Sequence, residues 1–149
     1  MNNKLRNAFY IFLPIILGGL VGWIISGNID YEYLIKPPFA PPKILFPIMW
    51  SIIYILMGIA YYLYRKKTDD INIIYYVQLI VNLLWSIIFF IFKLRFVSVL
   101  WIILLDILVI LTMKEFRNKE SKVSIYLFIP YLLWSLYATY LTIGIFILN

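Results

Sequence analysis

Neither cysteine nor histidine occurs anywhere in the 149 residues. Their absence removes disulfides, thiolate nucleophiles, imidazole bases and the commonest ligands for zinc, copper and haem iron, so no metal site of the usual donors is expected. Charge is scarce too: 13% of the residues are charged, with 13 Lys and Arg against 7 Asp and Glu for a net charge of +6. A basic chain suggests nucleic acid, but here the cations stand at the ends of apolar runs, where positive charge fixes membrane topology or meets anionic lipid. No run offers a basic face, and no nucleic-acid partner is expected.

What is plentiful is apolar sequence, at 64% hydrophobic residues and a mean hydropathy of +0.94. Five apolar stretches fall at about 8–27, 43–64, 71–92, 96–113 and 123–148, each near the roughly twenty residues a helix needs to cross a bilayer. They predict an all-α, integral membrane bundle of five transmembrane helices, occupying residues 1–149 as a single transmembrane domain. The first stretch is too long for a signal-peptide core and lacks a small-residue cleavage site, so it is expected to remain as a helix.

The turns at 65–70, 93–95 and 114–122 are short, which makes neighbouring helices antiparallel. Lys4, Arg6, Arg65, Lys66, Lys67, Lys114, Arg117, Lys119 and Lys122 then fall on one side, against Lys36, Lys43, Lys93 and Arg95 on the other. For a protein of the cytoplasmic membrane, the positive-inside rule predicts a cytoplasmic N-terminus, with the Pro-rich loop and the C-terminus facing outside. An odd number of spans with no internal repeat argues against the duplicated halves of many transporters.

Within the spans, polar and aromatic residues gather on particular faces. Gln78, Asn82, Trp85, Ser86 and Phe89 share one face of the third, Phe46, Trp50, Tyr54, Gly58 and Tyr61 one face of the second, and Tyr131, Trp134, Ser135 and Ala138 one face of the fifth. Such aromatic faces meeting in a bundle form either a wall that stacks on a flat apolar ligand or plain interhelical packing. Trp23 and Trp101 fit an interfacial belt or simple packing.

Asp106 is the only acid inside a span, which leaves ligand contact, proton handling and a structural hydrogen bond between helices all open. Gly18, Gly22 and Ser26 recur every four residues, a bare face suited to close approach, either within one protomer or across a homodimer. Pro14 and Pro130 each remove a backbone hydrogen bond inside a span and are expected to kink it. The loop at 28–42, with Lys36-Pro37-Pro38-Phe39-Ala40-Pro41-Pro42 at its heart, is a stiff connector that either covers the outer mouth or simply caps the second helix.

The runs KPPFAPPKILFPIMWSIIYILMGIAYYLY (36–64), QLIVNLLWSIIFF (78–90) and PYLLWSLYATYLT (130–142), with Asp106 between them, resemble the translocator protein family, also called tryptophan-rich sensory proteins or peripheral-type benzodiazepine receptors. The resemblance covers essentially the whole chain in order. It implies a five-helix bundle, often dimeric, whose cavity under the first loop binds porphyrins and isoquinoline or benzodiazepine ligands. Some bacterial members are reported to promote light-dependent breakdown of protoporphyrin IX.

Carried onto this chain, the family's pocket positions are Tyr31, Trp50, Asn82, Trp85, Ser86, Asp106, Trp134 and Ala138. Phe46, Tyr54, Phe89 and Tyr131 join them from the helical faces. Porphyrin is thus expected as a ligand with no obligatory cofactor, in a protein whose partners are the lipid membrane, protoporphyrin IX or a related tetrapyrrole, and a second copy of itself. Trp50 and Trp134 are the candidates for photochemistry, since indoles beside an excited ring are readily oxidised. Transport of porphyrin or another amphipath across the membrane is the competing function. The sterol motif proposed for animal members cannot be completed, because Tyr140 has no Lys or Arg after it.

Overall fold

The computed structural model describes residues 2–149 and contains five long helices and, among those residues, no strand. Helix α1 spans Asn3–Ile25, α2 Leu45–Lys67, α3 Ile73–Ser86, α4 Arg95–Asn118 and α5 Lys122–Leu148. With the five-residue π-helical turn Ile87–Ile91 that continues α3, all five are long and apolar enough to cross a membrane. The protein is a multi-pass integral membrane protein built as one bundle.

Antiparallel neighbours put the N-terminus and the ends of α2 and α4 at one end of the bundle, hereafter the basic end. The Pro-rich loop and the C-terminus lie at the other, the loop end. Around the bundle the helices touch in the order α1, α2, α5, α4, α3, with α1 closing the ring against α3 and its π turn. The α1–α2 crossing is tightest where a Cβ on Gly58 would come within 2.0 Å of the Ile11 carbonyl oxygen. Glycine there allows backbone to rest on backbone.

Helix ends run past the apolar stretches: α1 starts at Asn3 rather than near 8, and α2 and α4 continue to Lys67 and Asn118 rather than 64 and 113. Hydropathy marks where lipid can lie. Backbone hydrogen bonding continues beyond it, because Lys, Arg and Glu are good helix formers. The helix ends have local causes. Asn72 caps α3 by accepting from the Tyr75 amide at 3.0 Å. α4 ends as Glu120 turns left-handed (φ 59) and Ser121 donates back to the Phe116 carbonyl at 2.8 Å. α1 and α5 carry Pro14 and Pro130 without a break in the helix.

Buried aromatics fill the basic half of the bundle. Tyr61 and Tyr75 stack at 4.1 Å between ring centroids, Tyr64 stacks on Tyr61, and Phe116 and Phe128 meet edge to face at 5.0 Å. The loop half is packed differently. Tyr140 donates to the Pro38 carbonyl at 2.6 Å, Tyr137 donates to the Phe39 carbonyl, and Asn149 donates to Ile35 at 2.8 Å. Pro37 rests so close to Gly144 that a Cβ there would meet it at 2.5 Å. The Pro-rich loop is therefore pinned across the end of α5, and below it the space between α1, α2 and α3 stays open.

Candidate functional site

A cavity of about 550 Å³ lies under the loop among α1, α2 and α3. Helix α2 supplies its aromatic wall through Phe46, Trp50 and Tyr54, four residues apart and so on one face. Trp50 stacks on Tyr54 at 5.8 Å with 25° between the rings. Opposite, α1 presents Gly18, Gly19 and Gly22, with open space beside the last two where a Cβ would stand. Backbone thus replaces side chains along one wall, and a flat slot results.

Trp85, Ser86 and Phe90 close the third side. The Trp85 Nε1 is buried and has no hydrogen-bond partner among the described residues. Tyr31 roofs the cavity, packing edge-on to Phe46 at 4.9 Å while its hydroxyl donates to the Pro41 carbonyl at 2.6 Å. Burial raises the Tyr31 phenol above its ordinary pKa, so it stays a neutral donor. At the mouth Lys43 pairs with Glu32 at 3.4 Å, leaving one cation and one carboxylate beside an apolar interior.

Behind this wall stands a second layer. Trp134 meets Trp50 edge to face at 6.3 Å and Phe46 at 5.9 Å, and its own Nε1 is buried without a partner among the described residues. The Tyr54 hydroxyl donates to Asn82 Oδ1 at 2.5 Å, the Asn82 amide donates to the Tyr131 hydroxyl at 2.8 Å, and Tyr131 donates to Gln78 Oε1 at 2.6 Å. This chain of satisfied polar groups fixes the tilt of the Tyr54 ring.

The structure therefore brings Tyr31, Phe46, Trp50, Tyr54, Trp85 and Ser86 to the cavity surface. It sets Trp134, Tyr131 and Asn82 one layer behind. Phe89 turns away, stacked on Trp85 at 5.2 Å and covered by the Arg95 guanidinium at 4.4 Å. Asp106 lies in the α4–α5 seam, where Ser135 and Thr139 each donate to one of its oxygens at 2.5 Å. Ala138 is buried in α5 and does not line the cavity. Trp101 donates its indole N–H to the Val81 carbonyl at 2.8 Å as a packing residue, whereas Trp23 is 76% exposed, as a lipid-facing belt residue would be.

One contributor does not show in the helical pattern. Phe90 replaces Phe89 at the cavity because the π turn holds more residues per turn than an α-helix and shifts the face by about one position. The glycine stripe was apparent as a bare face, but Gly18 meets Tyr54 of the same chain and Gly22 borders the cavity.

The chain matches the TspO/MBR family over residues 10–148. It is 36% identical over 125 residues to the tryptophan-rich protein TspO of Chlorobaculum tepidum, covering 80% of this chain and 78% of that one. The protein of the same name from Archaeoglobus fulgidus is 37% identical over 123 residues, covering 80% and 79%. A tryptophan-rich sensory protein of Cereibacter sphaeroides is 31% identical over 111 residues, covering 73% and 70%.

Proposed function

Because the chain belongs to the TspO/MBR family of membrane proteins, we propose that it is a sensor or translocator whose cavity binds a tetrapyrrole, protoporphyrin IX or a close relative, as a ligand and not as a resident cofactor. The observation that carries this is the slot itself: about 550 Å³ between the Trp50–Tyr54 stack and the bare backbone of Gly19 and Gly22. A planar apolar ring fits such a slot by stacking. Lys43 at the mouth supplies a cation for a ring carboxylate, and the unpartnered Trp85 N–H supplies a donor inside. The same aromatic wall suits isoquinoline or benzodiazepine ligands.

A second reading, light-dependent breakdown of the bound porphyrin, is favoured by the Trp50–Trp134 contact at 6.3 Å, which places two oxidisable indoles in series from the cavity wall inward. The cation asymmetry supports a cytoplasmic basic end. The exposed apolar faces of α1 leave room for a homodimer.

Single-tryptophan variants test the binding reading. With only Trp50 retained, protoporphyrin IX should quench fluorescence saturably at one ligand per chain. With only Trp23 retained, quenching should rise without saturation, as for partition into the detergent or lipid. Non-saturable quenching in both variants would remove the cavity as the binding site.

A further inference from the structure

A second cavity, of about 180 Å³, lies at the basic end between the first turns of α1 and the last turns of α2. One wall is a face of α1 carrying Asn3, Arg6, Asn7 and Tyr10; the other is formed by Tyr62, Arg65 and Lys66 in the last turns of α2, with Asp69 from the turn just beyond it. Three cations thus converge against one carboxylate. None of Arg6, Arg65 and Lys66 lies within ion-pair distance of an acid among the described residues, although acids elsewhere pair with Lys43, Lys93, Arg95 and Lys119.

Arg65 is the best-held of the three. Its guanidinium lies over the Tyr10 ring at 5.3 Å and donates to the Asp69 backbone carbonyl at 3.3 Å, while its Nε is buried with no acceptor among the described residues. Lys66 lies over Tyr62 at 5.5 Å. Stacking on rings fixes the heads of both side chains and leaves their donors free, which suits a planar guanidinium to bind a phosphate oxygen pair. The start of a 23-residue helix, α1, adds its positive dipole end to the same spot.

We propose that this cavity binds the phosphodiester of an anionic phospholipid. Arg6, Arg65 and Lys66 contact the phosphate, and Asn3 and Asn7 offer amide donors to the headgroup. A lipid is favoured over a free phosphate compound because the cavity opens at the ends of two membrane helices. The adjoining turns of α1 expose Leu5 (63%), Phe9 (47%) and Phe12 (54%), a surface along which acyl chains lie.

Native mass spectrometry of the full chain in detergent, after equilibration with equal phosphatidylglycerol and phosphatidylcholine, tests this. The protein should retain one phosphatidylglycerol in preference to phosphatidylcholine, and Arg6→Gln/Arg65→Gln should reduce that preference at least tenfold. Lys114→Gln/Arg117→Gln, which removes the same charge from the same end, should keep it. Lys66→Gln, at an exposed position, should weaken it several-fold even if the double variant melts early. Equal loss in the Lys114/Arg117 control would reduce the effect to general surface charge and overturn the proposal, as would no preference in the unaltered protein. Displacement of the lipid by millimolar inorganic phosphate or glycerophosphoglycerol would make a soluble phosphate compound the occupant and overturn the lipid assignment.

Discussion

Gly18 and Tyr54 are matched surfaces: a Cβ at Gly18 would lie 2.4 Å from the Tyr54 ring. The ring cannot swing aside freely, because its hydroxyl is held by Asn82 at 2.5 Å. Gly18→Ala should therefore cost about 1 to 3 kcal/mol, the usual penalty for overpacking, read as a lowered Tm in detergent. Combined with Tyr54→Phe, which releases the ring from Asn82, the two losses should add to less than their sum.

Tyr31 ties the loop to its own far end through Pro41. Its phenol pKa is raised by burial, so the folded state favours the neutral form. The sign follows: the contribution is fully present below the ordinary tyrosine value of about 10 and is lost as pH rises through the higher folded value. Loop protection measured by hydrogen exchange should stay constant from neutral pH to about pH 9 after correction for intrinsic rates. Tyr31→Phe, losing one hydrogen bond of about 0.5 to 1.5 kcal/mol, should speed exchange at Tyr33 and Leu34 by roughly two- to tenfold.

Asp106 joins α4 to α5 through Ser135 and Thr139 and stands apart from the cavity. Asp106→Asn keeps one acceptor and replaces the other with a donor, leaving one hydroxyl to find a new partner. Stability should fall by about 1 to 3 kcal/mol, while porphyrin affinity stays within twofold. A large loss of affinity with an unchanged Tm would instead put this carboxylate in the ligand site.

If the two indoles take part in photochemistry, Trp50→Phe and Trp134→Phe should each keep protoporphyrin IX affinity within about tenfold, or 1.4 kcal/mol, yet lose most light-dependent turnover. Phenylalanine preserves a stacking face and removes the easily oxidised indole. Trp101→Phe should change neither, since that indole is committed to the Val81 carbonyl. Undiminished turnover in both cavity variants would exclude the indoles from the chemistry.

Much of this architecture was legible in the residues. Five apolar runs with short charged turns fix the helices, and the spacing of Phe46, Trp50 and Tyr54 fixes one wall, because helical periodicity is a local property. Asp106 and Phe89 show where that legibility ends. Periodicity says that a polar or aromatic residue faces inward, but not which neighbour it meets, and the ring order α1, α2, α5, α4, α3 gives Asp106 the partners on α5. For Phe89 the cause is the π turn, which no residue in Ile87–Ile91 announces. The glycine spacing predicts close approach, while its larger consequence, an empty wall facing Trp50 and Tyr54, depends on how α1, α2 and α3 meet around the cavity.

The most direct test of a tetrapyrrole in the α1–α2–α3 slot is the binding isotherm of protoporphyrin IX to Gly22→Leu. A side chain there meets nothing within 4 Å at its Cβ, so the fold should tolerate it, and Leu would project into space the ring is proposed to occupy. The expected result is an unchanged Tm with affinity at least tenfold weaker, about 1.4 kcal/mol. An unchanged Tm with undiminished affinity would place the porphyrin elsewhere on the protein and contradict the proposal.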